Sequence, residues 1–210
     1  MKTYPMIEVF YSLKGEGLWT GTPMLFLRFA GCNLTCPFCD TPADKQFAAS
    51  ADELLAMLND LSASCNRIVI TGGEPNIHNL SPLLNRLHDA GFSLHMETNG
   101  LQTQWIERNI NSIDFLTISP KAVDLLCQKA LNQCDEIKYL FPDFIDIDAV
   151  ERKLTINHPK RYILPIAEAY QNGTGRNTII SQNVQRAIRF CKTNPDFSLC
   201  LQVHKYLQIP

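Results

Sequence analysis

Two hydrophobic periods take turns along this chain. Short apolar runs of strand length recur at Met24–Phe29, Arg67–Thr71, Ser93–Thr98, Phe115–Ser119, Glu136–Leu140, Arg161–Pro165 and Phe197–Val203. Between them lie stretches with helical spacing. Ser50-Ala51-Asp52-Glu53 reads as a capping box, and Leu54, Leu55, Leu58 and Leu61 follow at intervals that place them along one helix. The pattern predicts further helices over Leu80–Ala90, where Gly91 suits the C-terminal cap, and over Trp105–Asn109, Ala122–Leu131, Asp146–Lys153 and Ser181–Thr193.

Seven strands with helical crossovers imply an α/β fold with a parallel sheet and helices outside it. The chain has 210 residues, whereas a closed eightfold barrel takes roughly 250. The expectation is therefore a partial (open) parallel β/α barrel, built as a single domain over residues 1–210. In such folds the working loops follow the C-terminal ends of strands. Polar, glycine- and proline-marked clusters stand at four such places: Gly31–Thr41, Thr71–Pro75, Glu97–Gly100 and Ser119–Lys121.

Composition narrows the class. Hydrophobic residues make up 45% and charged residues 19%, which excludes a disordered or low-complexity chain. A net charge of −2 with no block of like charges disfavours a nucleic-acid binder. No apolar run is long enough for a membrane span, and Met1–Pro5 lacks the apolar stretch of an export signal, so the expected location is cytoplasmic. That compartment keeps thiols reduced and speaks against a disulfide framework for the eight cysteines. Cys65, Cys127, Cys134, Cys191 and Cys200 are scattered and read as small buried apolar residues.

The other three are crowded into Gly31-Cys32-Asn33-Leu34-Thr35-Cys36-Pro37-Phe38-Cys39-Asp40-Thr41, a C-x3-C-x2-C pattern. Three thiolates at this spacing can wrap one face of a cubane iron–sulfur cluster and leave one iron open to a chelating ligand, whereas the commonest iron–sulfur carriers use four cysteines per cluster. The alternative is structural zinc, which needs a fourth, remote ligand such as Cys65 or His78. With Gly72-Gly73-Glu74-Pro75 after the next strand, the pattern resembles the radical S-adenosylmethionine (SAM) superfamily. That resemblance implies a 4Fe–4S cluster on Cys32, Cys36 and Cys39, whose open iron chelates the methionine end of SAM and delivers the electron that yields a 5′-deoxyadenosyl radical.

Further segments narrow the resemblance: Phe10-Tyr11-Ser12-Leu13-Lys14-Gly15-Glu16-Gly17, Arg28 before the cysteine loop, Glu97-Thr98-Asn99-Gly100, Ser119-Pro120-Lys121, and the closing Gln202-Val203-His204 to Pro210. In this order they are similar to the 7-carboxy-7-deazaguanine synthase family over essentially the whole chain. The resemblance implies a carbon–nitrogen lyase that contracts the ring of 6-carboxy-5,6,7,8-tetrahydropterin, releases ammonia and feeds 7-deazapurine and queuosine biosynthesis. SAM is regenerated, Mg²⁺ assists, and no catalytic side chain is implied beyond the cluster and the radical. SAM contacts would come from Phe38, Cys39, Asp40, Gly73, Glu74, Ser119, Pro120 and Lys121, and Thr41 would ligate magnesium. Leu13, Lys14, Gly15, Arg28, Thr71, Glu97, His204 and Pro210 would hold the pterin, Arg28 at its carboxylate and Pro210 through a terminal carboxylate. Implied partners are an electron donor such as flavodoxin or ferredoxin and a second copy in a homodimer, with no direct nucleic-acid or membrane contact. The chain departs from the family at Lys14, where Gln is usual, and at Leu164, where Gln is lost. Competing readings are an activase that installs a glycyl radical on a partner protein and a non-catalytic iron–sulfur or zinc module.

Overall fold

Alternation along each strand decides which residues face helices and which face the hollow of the sheet. In a computed structural model describing residues 2–39, 41, 44–142, 144–155, 159–166 and 182–210, the chain runs β1 (Thr3–Leu13), β2 (Pro23–Phe29), β3 (Phe47–Ser50), α1 (Ala51–Leu61), β4 (Arg67–Gly72), α2 (Ser81–Asp89), β5 (Ser93–Thr98), α3 (Ile106–Asn109), β6 (Phe115–Ile118), α4 (Gln128–Gln133), β7 (Glu136–Phe141), α5 (Ile147–Glu151), β8 (Lys160–Pro165), α6 (Gln182–Thr193), β9 (Phe197–Leu199) and α7 (Val203–Leu207). Among the described residues the strands form one sheet in the order β3-β1-β2-β4-β5-β6-β7-β8-β9. From β2 onward every pairing is parallel, as the crossovers require.

Leu27, Phe29, Ile70, Met96, Ile118, Ile137 and Ile163 point from the sheet to the helices and pack with Leu54 and Leu58 of α1 and Leu83, Leu84 and Leu87 of α2. The capping box forms as expected, with Ser50 and Glu53 exchanging side-chain and backbone hydrogen bonds. Gly91 adopts φ 85° after α2 and closes that helix. The opposite face of the sheet carries Arg28, Thr71, Glu97, Thr117 and Glu136 at neighbouring register positions. This inward row brings polar chemistry to the middle of the fold.

The sequence expectation needs four corrections. β1, the longest strand at 11 residues, is read in the sequence only as a motif, and it pairs antiparallel with both β2 and β3. β3 lies in what reads as a bare connection, because Phe-Ala-Ala-Ser has no alternation to mark it. The helix expected over Ala122–Leu131 is confined to Gln128–Gln133: Leu126 forms a bridge with Leu101, and the Cys127 N–H donates to the Gly100 carbonyl, so those groups are unavailable to a helix. The last strand stops at Leu199, and Val203 instead opens α7, its N–H donating to the Gly15 carbonyl. Ser181 lies outside the described residues.

The loop after β1 crosses the hollow face. Trp19 stands edge-on to His95 and Phe115, with ring centroids 5.1 and 5.8 Å away, and the Arg67 guanidinium lies over its ring. His95 is 5% exposed. Burial, then the Arg67 charge, push its imidazole down to about 4, so it is neutral in the native protein near pH 7. An unfolded histidine titrates near 6.5, so the unfolded state binds more protons between these values and stability falls as pH drops through them. Between pH 7 and pH 4 this one group is expected to cost about 3 kcal/mol of unfolding free energy. Urea unfolding at both pH values measures it; His95→Phe is expected to remove that part of the loss.

Candidate functional site

The cysteine loop leaves the C-terminal end of β2, and glycine makes its approach to β4 feasible. Gly72 has φ 138°, and a Cβ there would meet the Phe29 carbonyl oxygen at 2.1 Å; one at Gly73 would meet the Gly31 oxygen at 2.0 Å and Cys32 Cβ at 3.1 Å. With both side chains absent, the Gly73 N–H donates to the Phe29 carbonyl and the Glu74 N–H to the Gly31 carbonyl. The two loops are thereby stitched into one rim.

Glu74 extends the stitching. Its carboxylate, 1% exposed, accepts from the Asn76 N–H, the Thr98 hydroxyl and the Asn99 N–H. Burial nevertheless leaves this carboxyl raised above its ordinary value. Asn99 donates to the Asn33 side chain inside the cysteine loop, at 2.8 Å, and the Ser119 N–H donates to the Thr98 carbonyl. Lys121 turns its ammonium onto the Ser119 carbonyl and hydroxyl. Burial, then repulsion from Lys138, lower Lys121 to about 8, while Cys36, Glu16 and Glu74 pull the other way. All four polar clusters marked in the sequence thus meet on one rim.

Cys32 and Cys39 are exposed and Cys36 is half-buried, so their sulfurs are open to a ligand from outside. The Cys39 N–H donates to the Cys36 carbonyl, which bends the second half of the loop into a turn. Burial raises the Cys32 and Cys36 thiols, and the neighbouring cysteines add to the rise. Three thiols on one rim, beside a glycine cradle with no room for a side chain, suit a cluster with one open iron and a ligand held by backbone. The remote zinc ligands do not complete the set. Cys65 lies against the Pro23 carbonyl at the opposite end of β2, and the His78 ring nitrogen Nε2 is engaged by the Ala30 carbonyl. Phe38 packs edge-on to Phe144. Asp40 lies outside the described residues.

Beside this rim, a cavity of about 350 Å³ opens on the hollow face. Every residue that the family resemblance assigns to the pterin lines it: Leu13, Lys14, Gly15, Arg28, Thr71, Glu97, His204 and Pro210, together with Thr41. Arg28 donates through Nε to Glu8, at 2.6 Å, and lies over the Phe10 ring. Nε is one of five guanidinium donors, so the pair orients the fork without exhausting it. Gly15 is pressed against the His204 ring, where a Cβ would meet Nδ1 at 2.1 Å. Ser12 donates its hydroxyl to a Pro210 oxygen.

Lys14 turns away from solvent. Its ammonium is buried and donates to Glu97 Oε1 at 2.6 Å. Lys138 donates to the same oxygen at 2.8 Å and to Glu16 Oε2 at 2.6 Å. Gln202 donates to the other oxygen of Glu16. Burial pushes Glu97 and Glu16 up, but the lysine charges outweigh it: Glu97 stays well below the usual carboxylate range and Glu16 below its ordinary value. Burial lowers Lys138, and the two carboxylates overcome it to hold this ammonium well above its ordinary value. Glu136, also buried, accepts from the Leu18 N–H and the Thr117 hydroxyl. Sequence reasoning missed Glu8, Glu16, Glu136, Lys138 and Gln202. The signal for two of them was present: Glu136 and Lys138 are charges in an otherwise apolar strand.

The radical SAM superfamily model matches residues 27–139. The chain is 32% identical to 7-carboxy-7-deazaguanine synthase of Escherichia coli (strain K12), covering 98% of this chain and 99% of the relative. It is 34% identical to the enzyme of that name from Bacteroides thetaiotaomicron, covering 96% of each. To that of Burkholderia multivorans it is 35% identical, covering 99% of this chain and 100% of the relative. The crystal structure of QueE from Escherichia coli superposes with a TM-score of 0.73 and 27% identity, over 96% of this chain and 95% of that one.

Gly73→Ala tests the rim. The added methyl drives Gly31 and the cysteine loop outward, and iron uptake on anaerobic reconstitution is expected to fall severalfold. Far-UV circular dichroism is expected to keep its native form.

Proposed function

The chain belongs to the radical SAM superfamily and, within it, to the 7-carboxy-7-deazaguanine synthase family, and we propose that its cavity and rim carry that reaction from end to end. The enzyme converts 6-carboxy-5,6,7,8-tetrahydropterin to 7-carboxy-7-deazaguanine and releases ammonia. The observation that carries the site assignment is that eight pterin-binding candidates surround one cavity next to the cysteine rim.

When bound, the cluster and SAM supply one-electron reduction and a carbon radical that takes the hydrogen from C6 of the pterin. The protein's part is to bind and to orient. Cys32, Cys36 and Cys39 would hold the cluster, and Gly73, having no side chain, would leave room for SAM beside the backbone. Phe38, Asp40, Ser119, Pro120 and Lys121 complete the SAM site, and Glu74, spent on internal bonds, serves it by fixing the loop. Arg28 takes the substrate carboxylate with the donors that Glu8 leaves. Thr41 lines the cavity with Arg28, so its hydroxyl and that carboxylate would share Mg²⁺, with waters completing an octahedron. Leu13, Gly15, Thr71, His204 and Pro210 shape the pterin pocket. Residues 1–210 act as one unit, fed electrons by a flavodoxin or ferredoxin. Tyr206 and Leu207, exposed on α7, suit the face of a homodimer.

The experiment is anaerobic turnover of reconstituted protein with SAM, reductant, Mg²⁺ and pterin deuterated at C6, followed by mass spectrometry. The expected result is 7-carboxy-7-deazaguanine, with deuterium returned to SAM. SAM cleavage without either would overturn the reading. Arg28→Ala is expected to weaken pterin binding by roughly 2–5 kcal/mol, as for a desolvated charge pair; unchanged affinity would reject its role.

A further inference from the structure

Behind the cavity wall stands a charged group that the reaction does not use: Lys138, whose side chain is 4% exposed. It does not line the cavity. It sits behind Glu97, which does line it and whose side chain keeps 24% exposure. We propose that Lys138 is a positioning residue that, with Lys14, locks Glu97 as an ionised hydrogen-bond acceptor, so that the cavity selects a ligand edge carrying N–H donors. The inference rests on the pterin reading of the cavity for its ligand, and on geometry alone for the lock.

Both ammoniums converge on Oε1 of Glu97, at 2.6 and 2.8 Å. Oε2 receives the Thr71 hydroxyl at 3.4 Å, a long bond that leaves it acceptor capacity. An ionised carboxylate accepts and never donates. Glu97 therefore presents a fixed acceptor to the cavity, and the 2-amino-4-oxopyrimidine edge of a pterin supplies the matching N–H groups. A ligand edge with acceptors alone would face lone pairs, an unpaired contact that a buried site rejects strongly.

The lock is built from several elements. Lys14 comes from the end of β1 and Lys138 from β7, each holding Glu97 of β5. Glu16, from the loop after β1, takes another proton of Lys138 and is itself held by Gln202. Its charge opposes ionisation of Glu97, but Lys138 stands between them. Thr71 of β4 faces Oε2, and Arg28 and His204 face the same cavity from β2 and α7. Two ammoniums and two carboxylates balance, so the arrangement tolerates burial only while all four are present.

Two readouts on the reconstituted enzyme test this. Infrared difference spectra from about pH 8 to about pH 5 reveal protonation of a carboxyl in the range where an unlocked buried glutamate titrates. Lys138→Met is expected to show a protonated-carboxyl band that is absent from wild type and from Lys138→Met/Glu97→Gln. In parallel, pterin affinity is expected to stay nearly flat with pH in wild type. In Lys138→Met it should fall roughly tenfold to hundredfold as pH drops, the loss of one charge-assisted hydrogen bond. Preference for pterin over its 2-deamino analogue should shrink with it. Lys138→Arg, which keeps the charge, is expected to restore both. If Lys138→Met does not fold, Lys138→Met/Glu16→Gln removes one charge of each sign and carries the same expectations. An unshifted carboxyl band together with a wild-type pH profile in these variants would overturn the lock. Absence of pterin binding by the wild type, together with the band change in Lys138→Met, would overturn the substrate reading and support the lock.

Discussion

Four charges in alternating order, Lys14–Glu97–Lys138–Glu16, the lysines buried and the glutamates partly so, are the constraint on which the rest of the site depends. Taking an ion out of water costs several kcal/mol, and only close, fully bonded geometry offsets it. Here the contacts are 2.6 to 2.8 Å and the charges cancel. The residues come from three separate parts of the sheet: β1 and the loop after it, β5, and β7. A partial barrel has no closing strand pair to set its width. This ionic chain does that work on the hollow face, joined by Glu136 on the Leu18 N–H and Gly15 on Val203.

The rim depends on a different economy, one of missing side chains. Gly72 and Gly73 let β4 pass beneath the cysteine loop, and Glu74 then ties that crossing to Thr98 and Asn99. The cofactor side is therefore held by backbone bonds and one carboxylate with neutral donors, and the substrate side by ion pairs. Lys121 belongs to both, bonded to Ser119 on the rim and within the fields of Cys36 and Lys138.

Much of this was legible in the chain because its signals are local. The apolar runs mark β4, β5, β7 and β8 nearly to the residue, and the capping box marks α1. The cysteine spacing and Gly72-Gly73 sit within a few residues of the atoms they organise. What could not be read is relational. Lys14 looks like a loop lysine until Glu97 is seen opposite it, and Glu16 looks like a surface acid. β1 was hidden because its partners, β2 and β3, are antiparallel in a chain that otherwise advertises parallel crossovers. α7 was hidden because Val203 has strand character, while its N–H is taken by Gly15.

The hydrogen bonds that seal the hollow face span most of the chain: Gly17 to Cys200, Gln202 to Glu16, and Ser12 to Pro210 lie 183, 186 and 198 positions apart. Each β/α unit can form from neighbours, but these contacts reward the chain only after everything between them has been ordered. The topology makes the cavity a late product of folding and the first feature lost when the seam opens. A ligand that bridges Lys14 and Glu97 on one side and His204 on the other would act as a clasp, so occupancy and resistance to partial unfolding are thermodynamically linked.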